Sequence, residues 1–152
     1  MLDELLRIKR RREDSAAAAL AEAKEAAERA EDAREAKQRD LADYAGWQAA
    51  EKERLYAKLH GRNVTRDALA KYREAVGALR QRHLQLEEEL AEAVQAENRA
   101  AASLAEARQR RLEANREVAK FEDYGQTLAA EERRAAQARE DEEAEDAVSG
   151  RS

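Results

Sequence analysis

From Leu69 to Leu128, apolar side chains return at alternating steps of three and four residues without a slip. The positions are Leu69, Tyr72, Val76, Leu79, His83, Leu86, Leu90, Ala93, Glu97, Ala100, Leu104, Ala107, Arg111, Ala114, Val118, Phe121, Gly125 and Leu128, and fourteen of the eighteen are apolar. A mean spacing of 3.5 residues draws a narrow stripe along a helix that supercoils left-handedly, the mark of a coiled coil. Glu97 and Arg111 interrupt the stripe. Polar residues at such positions specify pairing at a cost in stability.

Residues 2 to 60 predict a first helix, built from alanine, glutamate, arginine and lysine. Its stripe is weaker. It runs through Leu2, Leu5 or Leu6, Ala16, Ala19 or Leu20, Ala23, Ala26 or Ala27, Ala30 and Ala33, then Leu41, Tyr44, Leu55 and Leu59, and its phase drifts by about one residue between groups. Gly46 weakens the helix locally. The break falls at His60-Gly61-Arg62-Asn63-Val64-Thr65. Gly61 suits the left-handed position after a helix end, and Thr65 suits the next N-cap, with Asp67 in the first turn. A link this short makes neighbouring helices antiparallel.

The expected fold class is therefore all-α: two long helices forming an antiparallel coiled-coil hairpin, with a C-terminal helical overhang and an acidic tail. The hairpin is expected over 1–139, with helix one about 2–60, hinge 61–64 and helix two about 65–139. Residues 140–152 read as an acidic, disordered tail. Folding at about residue 63 pairs positions whose numbers sum to roughly 126, over a paired length on the order of 85 Å.

Composition narrows the function. Charged residues make up 41% of the chain and aromatics 4%, a mix that suits helices burying one stripe each and not a compact core. The net charge of −5 gives no general pull toward nucleic acid or anionic lipid. There is no cysteine, hence no disulfide and no thiolate chemistry. No stretch has the length of a membrane span or a signal sequence, so a soluble, cytoplasmic protein is expected. No Gly-rich phosphate loop, HExxH or GxSxG occurs, and a two-helix hairpin encloses no cavity in which to perturb a pKa, so no enzyme and no catalytic residue is expected. No cofactor is expected, and no metal, because His60 and His83 lie far apart with only scattered carboxylates around them.

Three features remain as candidate surfaces. The basic run Arg7, Lys9, Arg10, Arg11 and Arg12 reads either as a docking face for an acidic partner or as a solvated face paired with Glu4, Glu13 and Asp14. Without interleaved aromatics it makes a poor nucleic-acid site. Tyr44, Trp47, Tyr56 and Tyr72 gather near the hinge, as interface anchors or as hairpin core. His83 on the stripe reads as a polar residue that pins register.

The start, LLRIKRRRED, and the middle, LYAKLHGRNVTRDALAKYREAVGALRQRH, resemble the central stalk proteins of type III secretion systems, the YscO (SctO) family. Tyr72, Val76, Leu79 and His83 also resemble a pattern of the flagellar counterpart FliJ, as do Leu41, Asp43 and Tyr44. The resemblance covers nearly the whole chain up to about Arg139. It implies a hairpin like the γ-subunit shaft of a rotary ATPase, with a hexameric secretion ATPase, the cytoplasmic ring of the export gate and secretion chaperones as partners, at the cytoplasmic base of the injectisome. By this resemblance Leu41, Tyr44, Tyr72, Val76, Leu79 and His83 form a gate-facing surface, which Trp47 joins as an exposed aromatic. The ATPase would hold the terminal end, with Arg7 to Arg12 and the overhang near 131–139. The pairing register instead buries Tyr44, Val76 and His83, so the two readings part at these residues. Two rivals remain: a helical hairpin that scaffolds other helices or escorts chaperones, and a nucleic-acid-binding helical arm.

Overall fold

The computed structural model describes residues 1–59 and 63–150. It contains two helices, α1 (Leu2–Leu59) and α2 (Arg66–Ser149), and no strand among the described residues. Asp3 and Glu4 open α1 and Lys58 closes it, so charge complements the helix dipole at both ends. Thr65 caps α2 as its sequence position predicts: its Oγ1 accepts from the Ala68 N–H at 3.1 Å, and its carbonyl accepts from the Leu69 N–H at 3.1 Å. Gly61, the other expected hinge residue, lies outside the described residues, as does His60.

The chain divides into two compact units, Met1–Ala21 with Glu106–Ser152, and Glu22–Ala105. Each pairs a segment of α1 with an antiparallel segment of α2. In the first, Leu2 lies beside Gly125 and Lys9 beside Glu117. In the second, Arg34 meets Glu97, Lys37 meets Glu89 and Tyr44 meets Leu79. These partners sum to between 123 and 131, the spread expected around the register near 126.

On α2 the heptad positions are withdrawn from solvent except Leu69, Arg111 and Leu128. On α1 the structure corrects the reading of a drifting phase. Positions 2, 6, 9, 13, 16, 20, 23, 27, 30, 34, 37, 41, 44, 48, 51 and 55 are all partly or fully buried, again at alternating steps of four and three. The stripe never slips. It is occupied at Lys9, Glu13, Arg34, Lys37, Gln48 and Glu51 by polar residues whose aliphatic stems cover the seam while their heads reach outward or across. Ala33, expected on the stripe, is exposed, and of Leu5 and Leu6 it is Leu6 that turns inward.

The core is thin. Leu20, Leu79, Leu86, Ala107 and Val118 are its buried apolar residues, Gln48 is buried with them, and no described side chain is fully enclosed. A two-stranded seam exposes one flank of every residue it buries, so each contributes only part of its transfer energy.

The C-terminal end differs from the sequence expectation. In place of a disordered tail over 140–152, α2 continues to Ser149, where the Gly150 N–H bonds the Asp146 carbonyl at 2.9 Å. Alanine and glutamate are strong helix formers and no proline intervenes, so local propensity extends the helix where charge content alone suggests coil. Every residue from 131 to 150 is exposed, so this stretch forms an arm with no helix beside it in its unit.

Gly46 and Gly77 sit inside the helices of the second unit with nothing within 4 Å of a built Cβ. Each should therefore accept alanine, which frees the helix of glycine's entropic cost. Gly46→Ala and Gly77→Ala are expected to stabilise by about 0.5–1 kcal/mol each, and Leu86→Ala to destabilise by about 2 kcal/mol. Urea unfolding followed by circular dichroism checks both signs.

Candidate functional surfaces

The basic run does not form one patch. Successive residues of a helix turn by about 100°, and the run spans almost two turns. Lys9 falls on the seam: its Nζ lies 3.1 Å from Glu117 Oε2 and 5.3 Å from the centre of the Phe121 ring, an ion pair with a cation–π contact beside it. Arg10 reaches across to Glu122 at 3.3 Å. Arg7, Arg10 and Arg11 line an open groove with Asp3, Leu6 and Asp14, while Arg12 turns to the other flank, where its charge is felt at Glu117. Arg7, Arg11 and Arg12 form no ion pair among the described residues. The outward-facing cationic set is therefore Arg7, Arg10, Arg11 and Arg12, and Lys9 is a packing residue.

The second unit holds the aromatic group. Tyr44 is half-buried and its hydroxyl donates to the Leu79 carbonyl at 2.9 Å. Its ring lies 5.5 Å from Trp47 and 6.3 Å from His83, centre to centre. Trp47 is 53% exposed and Tyr56 59%, whereas Leu41, Tyr72 and Val76 are half-buried and Leu79 is buried. Tyr44, Trp47 and His83 thus form one aromatic surface across the seam, with Trp47 its solvent face. Leu79 supports it from inside. Tyr44, Val76 and His83 share the burial and exposure that the two sequence readings divided between them.

His83 holds the seam position its spacing gives. Its Nε2 lies 2.8 Å from Glu87 Oε1, and its Nδ1 is buried with no hydrogen-bond partner among the described residues. The tautomer that fits carries its proton on Nε2 and donates to Glu87.

The seam's charged layers were only half visible in the sequence. Arg34 Nε donates to Glu97 Oε2 at 2.7 Å, and its Nη1 donates to Gln38 Oε1 at 2.7 Å. The Glu97 hydrogen bond, with its charge, holds the Arg34 guanidinium above its usual basicity. Glu97, an apparent flaw in the α2 stripe, is thus answered by a seam arginine on α1. Lys37 and Glu89 make a second crossing at 3.3 Å. On α1 alone, Arg54 forks Glu51, Nε to Oε2 at 2.9 Å, and this hydrogen bonding holds the Glu51 carboxyl below its usual range. Counting on from Tyr44 by four, three and four would have found Gln48, Glu51 and Leu55.

Among the described residues no cluster of three or more His, Cys, Asp or Glu is placed to hold a metal, and no helix is long and apolar enough to cross a membrane. What remains is a coiled-coil hairpin protein whose distinctive chemistry lies on its flanks, cationic in one unit and aromatic in the other. The family model for type III secretion protein YscO matches residues 2–150, and the chain belongs to that family. The fold is similar to the crystal structure of type III secretion protein YscO from Vibrio parahaemolyticus, with a TM-score of 0.90 and 29% identity over 96% of this chain and 92% of that one. No curated protein matches the chain.

The Lys9 pair gives a pH signature. Lys9's hydrogen bond, and then its charge, hold the Glu117 carboxyl below its ordinary 4.5. A depressed folded-state pKa contributes stability above the unfolded value and loses it as pH falls through the folded one. Thermal stability should therefore drop as pH falls below about 4.5, and Glu117→Gln should flatten that part of the curve. Melting temperatures from pH 6 down to pH 3 check this.

Proposed function

We propose that this chain is the central stalk of a type III protein secretion apparatus. It links the hexameric secretion ATPase to the cytoplasmic ring of the export gate and stimulates ATP hydrolysis, at the cytoplasmic base of the injectisome. The observation that carries the reading is membership of the YscO family over residues 2–150, on a hairpin with no enclosed core. A pair of helices offers a hexamer little besides its flanks, and those are what this chain has elaborated. In this reading Arg7, Arg10, Arg11 and Arg12, with the arm near 131–139, meet the ATPase. Exposed cations orient such a contact and speed its formation without locking it. Lys9 supports them from the seam.

The aromatic surface is assigned to the gate. Trp47 makes the direct contact, and Leu41, Tyr44, Tyr72, Val76 and His83 shape the ground around it, with Leu79 beneath. A half-exposed tryptophan braced by a tyrosine is the residue type and setting of an interface anchor. Secretion chaperones are a third class of partner in the same reading.

Purified secretion ATPase mixed with this protein should hydrolyse ATP several-fold faster and shift toward hexamers. The Arg10→Glu, Arg11→Glu, Arg12→Glu triple variant should lose the stimulation while keeping its helical circular dichroism. Absence of binding and stimulation by the unaltered chain would discard the stalk. Trp47→Ala should weaken capture by the gate's cytoplasmic ring about tenfold and leave ATPase stimulation intact.

A further inference from the structure

We propose that the chain forms an antiparallel dimer through its first unit, each copy laying its acidic arm beside the outward-facing arginines Arg7, Arg11 and Arg12 of the other. Three observations converge on this arrangement. Among the described residues Arg7, Arg11 and Arg12 carry no ion pair, and neither do Glu140, Glu142, Glu143, Glu145 and Asp146. Three cations and five anions of one unit therefore lack an ion-pair partner among the described residues.

They cannot meet within one molecule. Leu2 lies beside Gly125, so α1 begins level with Gly125, short of the arm. Helix α2 then runs on unbroken to Ser149. At 1.5 Å per residue the acidic stretch starts about 22 Å beyond that level, while Arg7 to Arg12 lie about 7–15 Å to the other side. Only a second molecule can bring them together, and one carrying both halves of the match is a second copy of this chain. Such an interface is isologous, each copy giving an arm and receiving one.

The register is determined by the match. Placing 140–146 of one copy beside 7–12 of the other puts the two-fold axis near residues 130–131. There Leu128 of each copy, on the heptad stripe and 47% exposed, comes to the crossing. Tyr124, Leu5 and Ile8, at 51%, 43% and 45% exposure, flank it. The dimer thus gives this apolar set cover that its own chain does not provide. It also engages these arginines, so self-association and any contact made through Arg7, Arg11 and Arg12 exclude each other.

The test is a charge swap read by sedimentation equilibrium on the full chain. One variant carries Arg7→Glu, Arg11→Glu and Arg12→Glu, and the other carries Glu142→Lys, Glu143→Lys and Asp146→Lys. Lys9, Arg10 and Asp141, which make contacts in their own chain, are kept. At low salt the unaltered chain should approach twice its 17.1 kDa mass and fall back to monomer as salt screens the charges. Each variant alone should stay monomeric with unchanged helical circular dichroism. Mixed in equal amounts, the two should recover the doubled mass, because each arm again meets side chains of opposite charge at positions 7, 11 and 12 of the other copy. A chain that remains monomeric at low salt, or variants whose mixture stays monomeric, would overturn the dimer.

Discussion

The structure depends on a seam only one side chain wide. Two helices in contact along a line can bury a stripe but cannot surround it, which is why Leu86, the most withdrawn residue of the core, still keeps 5% of its surface. Stability then accumulates along the seam of each unit and not at a centre. The consequence reaches every other feature. The chain's individuality is carried by residues beside the seam and by a few polar residues within it.

Those polar residues explain what could and could not be seen in the sequence. The α2 stripe was legible because leucine, valine and alanine mark it almost throughout, and the Thr65 cap was legible because a threonine followed by Asp67 satisfies the geometry of a helix start. The α1 stripe was not, because Lys9, Arg34, Lys37, Gln48 and Glu51 hold seam positions under polar names. Hydrophobicity assigns one value to a side chain whose stem is apolar and whose head is charged, and here stem and head do different things. The acidic end misled for a related reason. Charge content measures repulsion and hydration, while Ala and Glu at those positions also favour helix. Of the candidate surfaces, the aromatic group was visible as a cluster of residue types. That Arg12 parts from Arg7, Arg10 and Arg11, and that Lys9 faces inward, needed three dimensions.

The two surfaces differ in the kind of contact they suit. Guanidinium groups on flexible stems act over several ångströms and are sensitive to salt, so they favour encounters that form and release quickly. A tryptophan braced by a tyrosine ring acts only on contact and tolerates little displacement. A protein that must hold one partner lightly and another in a defined place would be served by this division, and the YscO family's association with a secretion machine gives that division a setting.

The Arg34–Glu97 and Lys37–Glu89 crossings carry a mechanical consequence. A purely aliphatic heptad stripe looks nearly the same after sliding by seven residues, so two such helices could creep past one another under load. Here a slide of one heptad would drive Arg34 against Leu90 or Leu104 and set Lys37 against Arg82 or Ala96. Each alternative strands a cation on oil or opposes it with another. The joint therefore has a single resting notch, and a push along one helix is delivered to its neighbour instead of being lost to slippage.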